Sequence, residues 1–201
     1  MEASIRMQRR YTYADYKTWD DDVRVELIDG IVYDMSAPTQ NHQLLLMELG
    51  RLFANYLKGK PYLPFIAPSD VRLNFDTEDN TVLQPDLYVV CDKSKLDGQN
   101  CNGAPDLVIE ILSPSTTRKD LHIKFHKYRE AGVKEYWIVN PIDKLITVYL
   151  LEKGDYIAHT YGCTGVDEVT LEDEKNLPSE ITVSLFPDFK IDVTELFKEM
   201  L

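Results

Sequence analysis

The sequence predicts a mixed α/β or α+β fold built around a central sheet. Residues 106–140 read as strand, helix, strand, a crossover that is right-handed by default and makes at least two strands parallel. Residues 145–150 and 155–161 look like an antiparallel pair, and an Asp29-Gly30 turn joins two alternating runs.

Each element has a local cause. YTYADYKTWDDD (11–22) suits a short amphipathic helix that ends in an acidic turn. VRVELID (23–29), Gly30 and IVYDM (31–35) form a hairpin pattern. Asn41 is placed to cap a helix running to about Lys58, with Leu45, Leu49, Leu52, Phe53 and Tyr56 at helical spacing. Strand-like runs follow at about 65–74, 81–91 and 106–112. Ser115 and Thr116 offer caps for a helix from about 118 to 131, and Gly132 suits its C′ position. EYWIVN (135–140) reads as a buried strand, and the last forty residues mix short strands with a closing helix at 192–200.

The chain has 201 residues, a formal charge of −12 and a pI of about 4.7. That length fits one domain (1–201), and 44% hydrophobic residues can bury a core, which excludes wholesale disorder. No run approaches the roughly 18 apolar residues of a membrane span. MEASIRMQRR lacks the apolar stretch of a secretory signal, and three cysteines without a CxxC pair argue against a disulfide framework. A cytoplasmic location is expected, with no membrane partner. The charge is uneven: residues 152–201 carry −8, whereas Arg118–Lys134 holds six basic residues against two acidic ones. A strongly acidic total speaks weakly against nucleic-acid binding, since phosphate contacts supply most of that affinity.

The most informative residues are charges in apolar settings. Glu110 interrupts LVIEIL (107–112), a run that suits a strand covered on both faces. Asp86 opens the apolar segment after Gln84 and Pro85. Alternation puts Glu110 with Val108 and Leu112, and Asp86 with Tyr88 and Val90, so neighbouring strands in register would bring the two acids together. Two hard oxygen ligands suit Mg²⁺ or Mn²⁺. Lys124 lies beside the stripe Leu121, Phe125 and Tyr128 and could reach the acids, whereas Lys119 and Lys127 fall off that stripe. Each also has a plain structural reading: an ion pair for the acids, a stem laid over apolar surface for the lysine.

Other candidates read more simply. His42 is commonly structural at such a position, Glu26 suits a solvated strand site although Val25 and Leu27 leave its facing open, and Cys91 suits a small buried hydrophobe. His122 and His126 lack a third ligand, Ser113 and Ser115 suit caps, and no glycine-rich phosphate loop is present.

Several strings carry a resemblance: QPDL (84–87), APDLVIEILSPST (104–116), KFHKY (124–128) and AGVKEYWIVNP (131–141). Together with ELIDG (26–30), Pro38 and His42, they resemble the Uma2 family (DUF820) of restriction endonuclease-like proteins, within the PD-(D/E)XK nuclease superfamily. The likeness spans about residues 11–150. It implies a core of helix, three antiparallel strands, crossover helix and fourth strand, at about 23–150, with the acidic 151–201 packed on it. It also implies that Asp86, Glu110 and the backbone carbonyl of Ile111 hold one or two Mg²⁺ (or Mn²⁺) ions. The superfamily's usual lysine would fall at Leu112; in this family Lys124 is the matching position. Glu26 and His42 take supporting roles. The implied activity is metal-assisted phosphodiester hydrolysis in nucleic acid, DNA foremost, by a homodimer. Alternatives are a catalytically inert nuclease-fold module that binds nucleic acid or protein, and an acid-pair glycosidase, which needs no metal.

Overall fold

The structure, a computed structural model, describes residues 9–20, 24–114, 117, 119–163 and 177–201. Two sheets meet at the candidate site. The first holds β1 (Val25–Ile28), β2 (Ile31–Asp34), β4 (Val71–Arg72), β5 (Val82–Leu83) and β7 (Cys101–Asn102), in the order β2-β1-β5-β4-β7. The second holds β3 (Leu63–Ile66), β6 (Leu87–Val90), β8 (Leu107–Ile111), β9 (Glu135–Asn140), β10 (Leu145–Glu152) and β11 (Asp155–Gly162), in the order β11-β10-β9-β8-β6-β3. Here β3, β6 and β8 are mutually antiparallel, β8 and β9 are parallel, and β9, β10 and β11 are antiparallel. The fold is thus the expected α+β mixed sheet with a single parallel crossover pair in its main sheet.

Asp29 and Gly30 both have positive φ, 50° and 75°, as a two-residue hairpin turn of the primed type requires. The runs expected as single strands at 65–74 and 81–91 each divide between the two sheets. β3 gives way to β4 across Pro68, and β5 to β6 across Pro85, because a proline donates no ladder hydrogen bond. Asp86 therefore lies where the chain passes from one sheet to the other.

Helix α2 (Gln40–Leu57) buries Leu45, Leu49, Phe53 and Leu57, one per turn, against the main sheet. Its cap is Thr39, whose Oγ1 accepts from the amide of His42 at 3.2 Å, and not Asn41 as expected. Asn41 lies inside the first turn, where its side chain accepts from and donates to the backbone of Leu201, at 2.9 and 3.1 Å.

The crossover helix departs from regular geometry. Residues 119–124 form a π-helical turn that runs into α3 (Phe125–Ala131). Widened turns displace the 3.6-residue stripe, so Leu121 is exposed and Asp120, Lys124 and Tyr128 face inward. The expected caps Ser115 and Thr116 lie outside the described residues. Gly132 ends α3 with φ 84°, its amide donating to Arg129 O and that of Val133 to Tyr128 O, a Schellman closure.

The terminal helices are shorter than expected. α1 spans Tyr13–Tyr16, closed by a capping box between Thr12 and Asp15, and residues 21 and 22 lie outside the described ones. α4 spans Val193–Leu196, capped by Asp192. Between them, β12 (Glu180–Thr182) and β13 (Lys190–Asp192) form a hairpin. Its Ile181 and Ile191, with Val183, Phe186 and Phe189, join Leu49, Phe53 and Trp137 in one apolar cluster. Glu135 fastens it: buried in β9, it accepts from Trp137 Nε1 at 2.8 Å and from Ser184 N at 3.0 Å.

Candidate active site

The pairing Leu87↔Ile109, continued by one residue, sets Asp86 opposite Glu110. Asp86 Oδ2 accepts from the amide of Ile111 at 2.7 Å and from His42 Nε2 at 3.1 Å. A carboxylate only accepts, so His42 carries its proton on Nε2, and Nδ1 has no hydrogen-bond partner among the described residues. The amide of Ile111, and not its carbonyl, is the group that meets Asp86.

Glu110 is buried; its Oε1 accepts from Lys124 Nζ at 2.8 Å and Tyr128 OH at 2.7 Å. Lys124 is also buried, and its ammonium lies 2.8 Å from Glu26 Oε1 and 3.5 Å from Asp120 Oδ1. Glu26, fully enclosed in β1, holds Lys119 Nζ at 2.5 Å on Oε2 and the amide of Gln84 at 3.0 Å on Oε1. The solvated position expected for Glu26 is therefore replaced by a buried one between two lysines.

The charges in this cluster are unequal. Burial alone would lower the Lys124 pKa, but Glu110, Glu26 and Asp120 outweigh it and raise it well above the ordinary lysine value. Burial likewise works to raise Glu26, yet its two lysines bring its pKa below the ordinary value. Glu110 has only a share of one lysine. Burial pushes it up to about 8 against the pull of Lys124, and the nearby Asp120, Asp86 and Glu26 add to the rise.

Asp86, Glu110, Glu26, Lys119, Lys124 and His42 all line one cleft of about 850 Å³. Its opposite wall is largely apolar, from Leu46, Met47, Gly50 and Ala54 of α2 and from Pro64 and Ile66. All five residues expected at the site thus converge. Lys119, Asp120 and the hydroxyl of Tyr128 were not expected. The four-residue spacing of Asp120, Lys124 and Tyr128 was the available signal, masked by reading 3.6 residues per turn. His122 and His126 are exposed, as a solvated face requires.

The donor set can be tested against a divalent cation. Neither Asp86 Oδ1 nor Glu110 Oε2 accepts a hydrogen bond from a described residue, so each acid keeps one oxygen for a ligand. No group of three or more His, Cys, Asp or Glu among the described residues is arranged to hold a metal. Two carboxylate oxygens and retained waters fit Mg²⁺ better than an ion requiring an all-protein cage.

The family model described as "Uma2: Putative restriction endonuclease" matches residues 13–189. The chain belongs to the Uma2 family. The match runs well beyond residue 150, so most of the acidic C-terminal part is inside the family domain and not outside it as expected. An uncharacterized protein of Synechocystis sp. (slr1290) is 30% identical over 151 residues, covering 73% of this chain and 78% of its own. A second one (sll1609) is 29% identical over 118 residues, covering 57% and 65%. The crystal structure of a "putative nuclease belonging to DUF820" from Anabaena variabilis shares the fold, with a TM-score of 0.67 at 16% identity over 95% of this Uma2 chain and 99% of that one. No helix of the described residues is long and apolar enough to cross a membrane.

Proposed function

We propose that this Uma2 protein is a divalent-metal-dependent endonuclease that hydrolyses phosphodiester bonds of nucleic acid, DNA foremost. One observation carries the reading: Asp86 and Glu110 meet across the β6–β8 register beside the ammonium of Lys124. A binding surface gains nothing from burying like charges together, whereas cation chemistry needs them.

Asp86 Oδ1, Glu110 Oε2 and the carbonyl of Ile111 would hold Mg²⁺ or Mn²⁺. When bound, such an ion lowers the pKa of water and polarises a phosphoryl oxygen. His42 orients Asp86 by donating to its Oδ2, and the amide of Ile111 fixes the same oxygen. Lys124 and Lys119 would set positive charge where the phosphoryl oxygens gain negative charge. Glu26 is a positioning residue, holding both lysines without touching substrate. Cutting both strands of a duplex takes two such sites, so the assembly proposed for that substrate is a homodimer.

The test is incubation with supercoiled plasmid and Mn²⁺, alongside Asp86→Asn and Glu110→Ala. Each change should reduce nicking by about 10²-fold or more. Equal cutting by wild type and both variants would show contamination and end the assignment. A second reading, an inert nuclease-fold module, has one observation in its favour: Lys124 and Tyr128 already hold Glu110 Oε1 without a metal ion. Calorimetric titration with Mn²⁺ separates the two, since the inert module binds none.

A further inference from the structure

We propose that a second pocket, adjoining the cleft, receives an unpaired nucleobase of the bound strand; this rests on the nuclease reading above. The pocket measures about 350 Å³ and shares Pro68 with the cleft. Gln84 joins the two. Its amide donates to Glu26 Oε1 at 3.0 Å, while its side-chain Nε2 donates to Asp70 Oδ1 at 2.8 Å and to Tyr16 OH at 3.3 Å. One glutamine therefore separates the polar floor of the pocket from the charged cluster of the cleft, a span one nucleotide can bridge.

Three aromatic side chains line the pocket. Tyr13, Tyr16 and Trp19 all face this pocket, with the Tyr16 and Trp19 centroids 5.5 Å apart and tilted by 57°. Arg72 lies 4.0 Å over the Tyr13 ring and holds it in place. Aromatic walls of this kind stack any base, because every base has a π-face, and a base inside a duplex has no face to offer. Asp70 supplies edge recognition. Its Oδ1 accepts from Tyr16 and Gln84, whereas Oδ2 accepts nothing from a described residue. A carboxylate oxygen accepts from the exocyclic amino groups of guanine, adenine or cytosine, whereas unpaired thymine offers only its ring N3–H. A phosphate is the wrong occupant: Asp20 and Asp70 oppose it and only Lys17 attracts it.

Trp19 reports the occupancy directly, since the chain's other tryptophan, Trp137, is fully buried in the core. The full chain is titrated in EDTA with single-stranded 12-mers rich in guanine or made only of thymine, with a fully paired duplex, and with that duplex carrying one unpaired guanine. Fluorescence quenching and anisotropy are read together, and melting temperatures confirm folding of the variants. The guanine strand and the bulged duplex should quench Trp19 and bind about tenfold tighter than the paired duplex. By anisotropy, Trp19→Leu should weaken binding of the guanine strand about tenfold, and Asp70→Asn should weaken guanine binding more than thymine binding. Equal affinity for paired and unpaired substrates, or unchanged binding in folded Trp19→Leu and Asp70→Asn, overturns the pocket. If plasmid is still cut with Mn²⁺ in that case, the nuclease reading survives; if nucleic acid is neither bound nor cut, both fall.

Discussion

The ammonium of Lys124 lies 2.8 Å from Glu110 although fourteen residues separate them, one on the crossover helix and the other on the central strand β8. Leu112, two residues beyond Glu110, is apolar, so the cation that meets Glu110 comes from the crossover helix and not from its own strand. Delivery from a helix buries the whole lysine stem and lets one ammonium serve three carboxylates.

Removing that ammonium should therefore cost folding stability as well as activity. Lys124→Met leaves Glu26, Glu110 and Asp120 without their shared cation. Losing one partner of a buried pair costs about 3–5 kcal/mol. Urea unfolding of the pure protein measures it. A midpoint equal to that of wild type would mean the cluster is not closed in solution.

Much of this arrangement was legible in the sequence because it rests on strict periodicities. Asp29-Gly30 prescribes a primed turn, Gly132 a left-handed helix end, and alternation along two strands puts Asp86 across from Glu110. What stayed hidden depends on tertiary context or irregular helix geometry. A π-turn has no signature of its own, so Lys119 and Asp120 looked peripheral. Glu26, flanked by Val25 and Leu27, could have faced either way until two lysines from another element settled it. Pro68 and Pro85 were visible, but the sheet change at each was not.

Thr39 and Asn41 illustrate the limit of local capping rules, and they make separable predictions. Thr39→Ala removes the acceptor for the His42 amide and should cost about 1 kcal/mol, with faster hydrogen exchange confined to the first turn of α2. Asn41→Ala should instead speed exchange at the C-terminus, since it frees the backbone of Leu201. Mass spectrometry of the exchanging peptides tells them apart, and a swapped pattern would restore Asn41 as the cap.

Glu135 predicts a pH dependence remote from the cleft. Burial raises its pKa above the ordinary carboxylate value, against the opposing pull of Ser184 and Trp137. The folded state then holds its proton more tightly than the unfolded chain, so stability falls as pH climbs from about 4.3. Glu135→Gln should remove this slope. It should also lower stability by about 1–3 kcal/mol at every pH, because an amide NH₂ cannot accept from the donors that Glu135 satisfies. Denaturation midpoints between pH 4 and 8 decide; parallel curves for the two proteins would refute the assignment.

The relation between Glu26 and its lysines yields the sharpest functional prediction. Glu26 meets Lys119, Lys124 and the amide of Gln84, and in the proposed mechanism it acts by holding the two lysines over the cleft. Glu26→Gln should therefore lower kcat by about 10²-fold with little change in KM. Lys119→Ala alone should lose about tenfold, since Lys124 keeps its own ties to Glu110 and Asp120. In the double variant the losses should not multiply, because removing Glu26 already displaces Lys119, and groups acting as a unit are non-additive. A product near 10³-fold would mean that Glu26 and Lys119 contribute independently. Glu26 would then have to meet the substrate or a cation itself, and its place as a buried support would be lost.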